Sequence, residues 1–290
     1  MKHIFLNLKR FDIPKAYGGV NALAPVPDWA HTIVSGTQEA LSNAAFAGAE
    51  YVMFFPEAHV LSAAAAKTAD SPVQLGCQGL HREDTAVGGD FGAFTSLLTG
   101  NAAKALGCDW ALIGHCEERR EKAGVLSEAG VTDPDAVNRL LNREVLAAQR
   151  AGLKVLYCIG ESAEELPHKE QVLGKQLSIG LDGADTANVV IGYEPIWSIG
   201  PGKTPAGRGA ILETARFIKA QTGGIDVVYG GGLKADNAAM LASIDEIDGG
   251  LIALTRFAGE IGFYPDEYLE IIRLYLGIGS ERRNGNGNAV

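Results

Sequence analysis

The sequence has few cysteines. The four present, Cys77, Cys108, Cys116 and Cys158, never form a C-x-x-C pair. That excludes a disulfide scaffold and a thioredoxin-type motif, and the thiols read as buried, free groups in a reducing compartment. Histidines, cysteines and carboxylates nowhere recur at metal-ligand spacing, so neither a metal nor a cofactor is expected. No G-x-G-x-x-G follows the first apolar run, which removes the fingerprint of a dinucleotide site. Positive charge is also short, with 25 Lys and Arg against 35 Asp and Glu and a net charge of −10. Without a basic patch, that balance argues against a nucleic-acid partner. No window of about 20 apolar residues is present to span a membrane. The N-terminal Met1-Lys-His-Ile-Phe5 runs straight into a strand pattern rather than an export leader, so a cytoplasmic protein is expected.

What is present is alternation. Short apolar runs occupy residues 4–8, 51–55, 73–77, 110–113, 155–158, 189–193, 227–229 and 251–254. Ala/Leu/Glu-rich stretches of helical period occupy residues 28–47, 58–68, 96–106, 134–151, 164–178, 206–221, 237–242 and 265–276. Near-continuous apolar strands alternating with helices predict a parallel sheet covered on both faces. Eight such units in one domain over residues 1–276 fit an α/β (β/α)8 barrel, with a doubly wound open sheet as the alternative. Two connections are long, the Gly/Pro-rich residues 10–27 and the polar, Gly-rich residues 79–95, and loops of that length are usually functional. Residues 277–290 are Gly/Asn-rich with Arg282-Arg283 and nothing to bury, which predicts a disordered tail.

In either fold, chemistry gathers at the C-terminal ends of the strands. The first ends in Asn7-Leu8-Lys9, an amide and a cation, where the plainer reading of Lys9 is a solvated surface lysine. The fourth ends in Gly114-His115 before a helix start, which disfavours the imidazolium and leaves a neutral donor; a core histidine satisfied by backbone is the alternative. The sixth delivers Glu194 into Pro195-Ile-Trp-Ser-Ile-Gly-Pro-Gly-Lys-Thr-Pro205, an apolar tip bracketed by prolines. Such a segment suits a lid that moves as one piece over a carboxylate base, although a surface Glu before an ordinary loop is equally compatible with this stretch alone. The seventh ends in Tyr229-Gly-Gly-Gly232, whose backbone N–H groups suit a phosphate. Gly200-Pro-Gly-Lys-Thr204 is no P-loop, because Trp197 stands where the first glycine is required.

These stretches together resemble the triosephosphate isomerase family, whose fold is the TIM barrel. Glu194 through Thr204 resembles its catalytic glutamate and closing lid, Ile113-Gly-His115 with Glu117 and Arg119 its electrophilic-histidine motif, and Asn7-x-Lys9 its first-strand motif. Cys158-Ile-Gly-Glu161 and Gly92-Ala-Phe-Thr95 add weaker support. The resemblance implies aldose–ketose isomerisation of a small phosphorylated sugar by proton transfer through an enediolate, within glycolysis and gluconeogenesis. Catalytic roles fall to Glu194, His115, Lys9, Asn7 and Glu117, and substrate contacts to Gly200, Gly231, Gly232 and the segment carrying Ala253, Leu254 and Arg256. It also implies a homodimer through the 79–95 loop, with Thr95 reaching the partner's site.

The chain departs from the family pattern after the eighth strand. Ala253 and Leu254 stand where a glycine pair would hold the phosphate, with Arg256 a candidate replacement contact. An extra acid, Glu118, enters the histidine motif, residues 122–133 look expanded, and Ser96 replaces an acid after Thr95. Glyceraldehyde 3-phosphate and dihydroxyacetone phosphate are the default substrates. A tetrulose or pentulose phosphate, or a non-catalytic ligand-binding barrel, are the alternatives.

Overall fold

The computed structural model describes residues 1–200 and 203–278. Eight strands pair in parallel and in sequence order, and the eighth closes on the first. They are β1 (Lys2–Asn7), β2 (Ala49–Phe55), β3 (Val73–Cys77), β4 (Trp110–Ile113), β5 (Lys154–Ile159), β6 (Val189–Tyr193), β7 (Val227–Tyr229) and β8 (Gly249–Ile252). The covering helices are α1 (Trp29–Ser35), α2 (Gln38–Leu41), α3 (Glu57–Ala66), α4 (Gly100–Ala105), α5 (Cys116–Glu128), α6 (Ala136–Arg150), α7 (Lys169–Gly180), α8 (Arg208–Thr222), α9 (Ala238–Ala242) and α10 (Pro265–Leu276). The closed barrel, rather than the open sheet, is the fold. No helix among the described residues is long and apolar enough to cross a membrane.

Strand alternation sorts the core into two layers and aims the site. One face of the strands fills the barrel with Phe5, Val52, Phe54, Trp110, Leu112, Leu156, Cys158, Val190, Val228 and Leu251. The other face, including Ile4, Leu6, Met53, Val155 and Ile191, packs against the helices. Two residues on from an inward-facing position is again inward. Asn7 therefore follows Phe5, Gln78 follows Gln74 and Gly76, and Glu194 follows Val190 and Gly192 into the barrel mouth.

Most element boundaries shift by a few residues from the sequence expectation, and three differences are larger or more telling. The stretch expected as one helix over residues 28–47 breaks at Gly36-Thr37 into α1, α2 and a 3-10 turn at Ala44–Phe46. Strand β8 begins at Gly249, two residues ahead of the expected run, because β1 runs so close that a Cβ on Gly249 would lie 1.8 Å from the His3 carbonyl oxygen. Helix α5 occupies much of the segment that looked like an expansion. Of the expected tail, Gly277 is the left-handed cap that ends α10, and residues 279–290 lie outside the described residues.

The barrel floor carries a charged cluster. His3 Nδ1 stands 2.5 Å from Glu50 Oε1 and Nε2 stands 2.8 Å from Asp226 Oδ2. Burial alone would lower the His3 pKa, but the two carboxylates outweigh it and hold it above the ordinary value. The fold thus favours protonated His3. Its stabilising contribution is complete below the unfolded value of about 6.5 and is lost as pH rises through the raised folded value. Urea unfolding of the parent should show that loss, and His3→Gln should remove that segment of the pH dependence. An unchanged pH slope in the variant would refute the assignment.

Candidate active site

The first wall of the site is built by β1 and β3. The Asn7 side-chain oxygen accepts the Lys9 backbone N–H at 3.0 Å and the Gln78 amide at 3.2 Å. Gln78 also donates to the backbone oxygens of Lys9 at 3.3 Å and Phe54 at 3.0 Å. This bracing holds Lys9 at φ 40°, a left-handed conformation costly for a lysine, of the kind that persists where surroundings over-determine it. The Lys9 ammonium then reaches Glu117 Oε1 at 2.7 Å. Burial would raise the Glu117 pKa, but Lys9 wins and keeps it below the usual value.

His115 is aimed by the corner that follows β4. Gly114 takes φ +81°, and a Cβ there would stand 2.7 Å from the Cys158 carbonyl oxygen, so only glycine makes this turn. Glu118 accepts the Gly114 N–H at 2.6 Å while Arg119 Nε donates to the Gly114 carbonyl at 2.8 Å, which clamps the corner from both sides. His115 then caps α5, its Nδ1 accepting the Glu117 N–H at 3.2 Å. An accepting Nδ1 leaves the proton of the neutral ring on Nε2. Burial first, and the Lys9 charge next, press the imidazole pKa down to about 4. The positive end of α5 acts in the same direction.

Glu194 lies behind the imidazole and is 1% exposed. Its backbone N–H donates to the Ile159 carbonyl at 2.8 Å, and the preceding carbonyl, of Tyr193, accepts the Gly230 N–H at 2.7 Å, so both neighbouring strands fix the position. Oε2 accepts the Cys116 N–H at 2.8 Å, and Oε1 stands 3.2 Å from His115 Nε2. Burial pushes the carboxyl pKa up to about 8, against the opposing pull of the Cys116 N–H and Lys9. A weakened acid thus faces a weakened base, and neither ionises the other.

Close packing at β7 makes this geometry sensitive. A Cβ on Gly230 would lie 2.7 Å from Glu194 Cγ and 2.9 Å from the Tyr193 carbonyl oxygen. Gly230→Ala should displace the carboxylate and lower kcat roughly 10–100-fold, since about 1 Å of misplacement is enough for that. The overpacking should cost about 1–3 kcal/mol in denaturant unfolding. A variant with parental kcat would show that the position tolerates a methyl group.

The segment expected as a lid leaves β6 through a short 3-10 turn at Ile196–Ser198. Buried Glu161 ties it down, Oε1 accepting the Trp197 indole N–H at 2.8 Å and the Tyr193 hydroxyl at 2.9 Å. Lys203 Nζ donates to the Ile196 carbonyl at 2.8 Å across the loop. Gly200 is exposed, and residues 201–202 of the expected lid lie outside the described residues.

The remaining expected residues are more dispersed. Gly231 and Gly232 follow β7, and Gly232 sits at φ 101°. Ala253 and Leu254 follow β8, half-buried. The fork of Arg256 is taken by Glu267, with Nε 2.8 Å from Oε1, and its guanidinium lies 3.9 Å over the Tyr264 ring. Arg256 is thus paired with a carboxylate at the start of α10. Thr95 is exposed on the long β3–α4 connection, as are Val87, Leu97 and Phe91, the last at 95%.

A cavity of about 480 Å³ opens beside these residues, walled by Asn7, Lys9, Gln78, His115 and Glu117, with Phe11 and Gly19 from the β1–α1 connection. Glu194 is not among its walls. Three contributors escaped sequence reading: Gln78, Cys116 and Glu161 as an anchor. Gln78 was signalled only by its inward parity after Gln74. The donor atoms of His115, Cys116 and Glu194 lie within 4.8 Å of one another, a grouping that sequence spacing conceals.

Comparison with known proteins identifies the family. The sequence profile described as Triosephosphate isomerase matches residues 28–272. The triosephosphate isomerase of Pseudomonas putida (strain GB-1) is 34% identical over 255 residues, covering 83% of this chain and 91% of the relative. That of Synechococcus sp. (strain JA-2-3B'a(2-13)) is 34% identical over 219 residues, covering 73% and 76%. The crystal structure of triosephosphate isomerase from Bartonella henselae superposes with a TM-score of 0.69 at 24% identity, over 94% of this chain and 98% of that one, a likeness of fold. With a profile match over most of its length and relatives of this identity and coverage, the chain belongs to the triosephosphate isomerase family.

Proposed function

We propose that the protein interconverts glyceraldehyde 3-phosphate and dihydroxyacetone phosphate. The observation that carries the reading is the buried pair of Glu194, raised to about 8, and His115, lowered to about 4, at 3.2 Å. A carboxylate base beside a neutral imidazole is the pairing for which triosephosphate isomerase is the standard worked case. Glu194 takes a proton from the carbon next to the carbonyl and returns it to the neighbouring carbon. His115 Nε2–H hydrogen-bonds the carbonyl oxygen as charge develops, and the Lys9 ammonium stabilises the enediolate. Asn7 and Glu117 hold Lys9 in place.

Because Glu194 rests against His115 and Cys116, it has to swing away from both to reach a substrate in the cavity. Lid closure through Gly200 accompanies that swing and excludes water. The phosphate is held by backbone N–H groups of Gly231 and Gly232, beside the segment carrying Ala253 and Leu254. Exposed Val87, Phe91 and Leu97 support a homodimer through the 79–95 loop, with Thr95 at the partner's site. A cytoplasmic setting suits four free thiols. The longer-sugar and non-catalytic readings gain no comparable support from relatives named triosephosphate isomerase.

A coupled assay with both triose phosphates tests the reading. The free enzyme needs ionised Glu194, so kcat/KM should rise with pH through about 8, displaced upward from the ordinary carboxylate range. His115, neutral above about 4, should add no second limb at neutral pH. Absence of interconversion would overturn the proposal. A limb at an ordinary carboxylate value would instead move the base away from Glu194 as it is buried here.

A further inference from the structure

The base and the two residues that hold it at rest also bring together a set of donor atoms of a kind the proton transfer does not need. His115, Cys116 and Glu194 each offer one donor atom, all within 4.8 Å of one another, and the three residues are buried or half-buried. Tetrahedral Zn2+ takes nitrogen and oxygen at about 2.0–2.2 Å and sulfur at about 2.3 Å, which places neighbouring donors roughly 3.3–3.6 Å apart. His115 Nε2 and Glu194 Oε1 already stand at 3.2 Å. Cys116 Sγ lies 3.9 Å from the other imidazole nitrogen, on a side chain with a single torsion to adjust.

We propose that His115, Cys116 and Glu194 bind a thiophilic divalent cation, Zn2+ or Cd2+, and that the ion blocks turnover by capping base and electrophile together. The thiol sets the class of ion, since a thiolate favours Zn2+ and Cd2+ over the oxygen-seeking Mg2+ and Ca2+. On binding, the Cys116 thiol proton and the Glu194 carboxyl proton both leave to solvent, and the sulfur and a carboxylate oxygen become ligands. The imidazole proton moves from Nε2 to Nδ1, which gives up the Glu117 N–H. Nδ1–H then faces Glu117 Oε2, 3.8 Å away, on a carboxylate already held by Lys9 at 2.7 Å. A carboxylate behind a ligating imidazole is the usual support for a metal histidine. Glu194 ligates through Oε1 and keeps the Cys116 N–H on Oε2. The fourth position is left for water, which completes the tetrahedron. Only the effect on turnover rests on the proposed isomerase activity; the binding does not.

The test uses chelator-treated full-length protein. Titration with Cd2+ should give a thiolate-to-cadmium absorption band in the ultraviolet that saturates at one ion per chain and is displaced by Zn2+. Zn2+ should inhibit isomerisation, and chelator should restore it. Cys116→Ser should lose the band and need at least roughly tenfold more Zn2+ for half-inhibition, each variant being compared with its own metal-free rate, because even residues behind a ligand change affinity about 10–100-fold. Cys77→Ser, with native circular dichroism, should keep the band. Glu194→Gln, assayed by Cd2+ binding alone, should bind more weakly. A band that persists in Cys116→Ser, equal Zn2+ sensitivity in that variant, or no band in the parent would overturn the site. A band in a protein without isomerase activity would leave the site standing and remove the functional reading instead.

Discussion

Replacing Glu194 by glutamine is expected to lower kcat by about 10²–10⁴-fold, the usual contribution of a general base, while the protein stays folded. The two halves of that expectation have one cause. Glu194 is the carboxylate that strand parity turns into the mouth, and burial raises it to about 8. A group whose acid form the fold favours loses stability as pH rises from the unfolded value toward the folded one. Ionised Glu194 is therefore a cost the fold bears, and glutamine, of nearly the same shape, removes it. Thermal unfolding above about pH 8 should show Glu194→Gln at least as stable as the parent. Parental kcat in the variant would eliminate Glu194 as base. A large drop in Tm together with kcat would reduce the loss to misfolding.

The alternation of strands and helices was legible because buried parallel strands leave apolar runs that no surface element imitates. Strands β3, β4, β6 and β7 coincide with the runs read from sequence. The start of α5 after His115 was legible but its length was not, since none of its residues is buried and a charged segment with no apolar stripe leaves no period to detect. Strand β8 was read late because Gly249 and Gly250 look like chain breakers, although in the barrel they allow β1 and Leu233 to approach closely. The start of α4 was read early because the side-chain cap at Thr99, not the apolar pattern, sets it.

In the site, residues at strand ends could be found, whereas their supports could not. Glu194, His115 and Lys9 carry charge or a titratable ring where apolar runs stop. Gln78 and Glu161 act through hydrogen bonds to residues 71 and 32 positions away, respectively, which a linear pattern does not display. The pairing of Arg256 with Glu267, 11 residues further on in α10, was hidden for the same reason.

The second large effect belongs to His115. His115→Phe keeps a ring of similar size and removes both nitrogens, and kcat should fall about 10²–10³-fold, the range for one lost oxyanion donor. KM should change far less, because the interaction strengthens as charge develops on the oxygen. The loss of the Nδ1 cap on the Glu117 N–H should separately cost about 0.5–2 kcal/mol in stability. The argument requires a neutral ring. An imidazolium 3.2 Å from Glu194 would hold the carboxylate in an ion pair and weaken the base that the reaction needs. Burial and Lys9 prevent this by keeping the ring's pKa near 4, and the Glu117 N–H selects the tautomer that carries its proton on Nε2. Nitrogen chemical shifts of His115 should accordingly remain those of the neutral Nε2–H form between about pH 5 and 9. A ring that protonates within that range, with activity following the protonated fraction, would show that the electrophile is a cation and that the Glu194–His115 pair works the other way round.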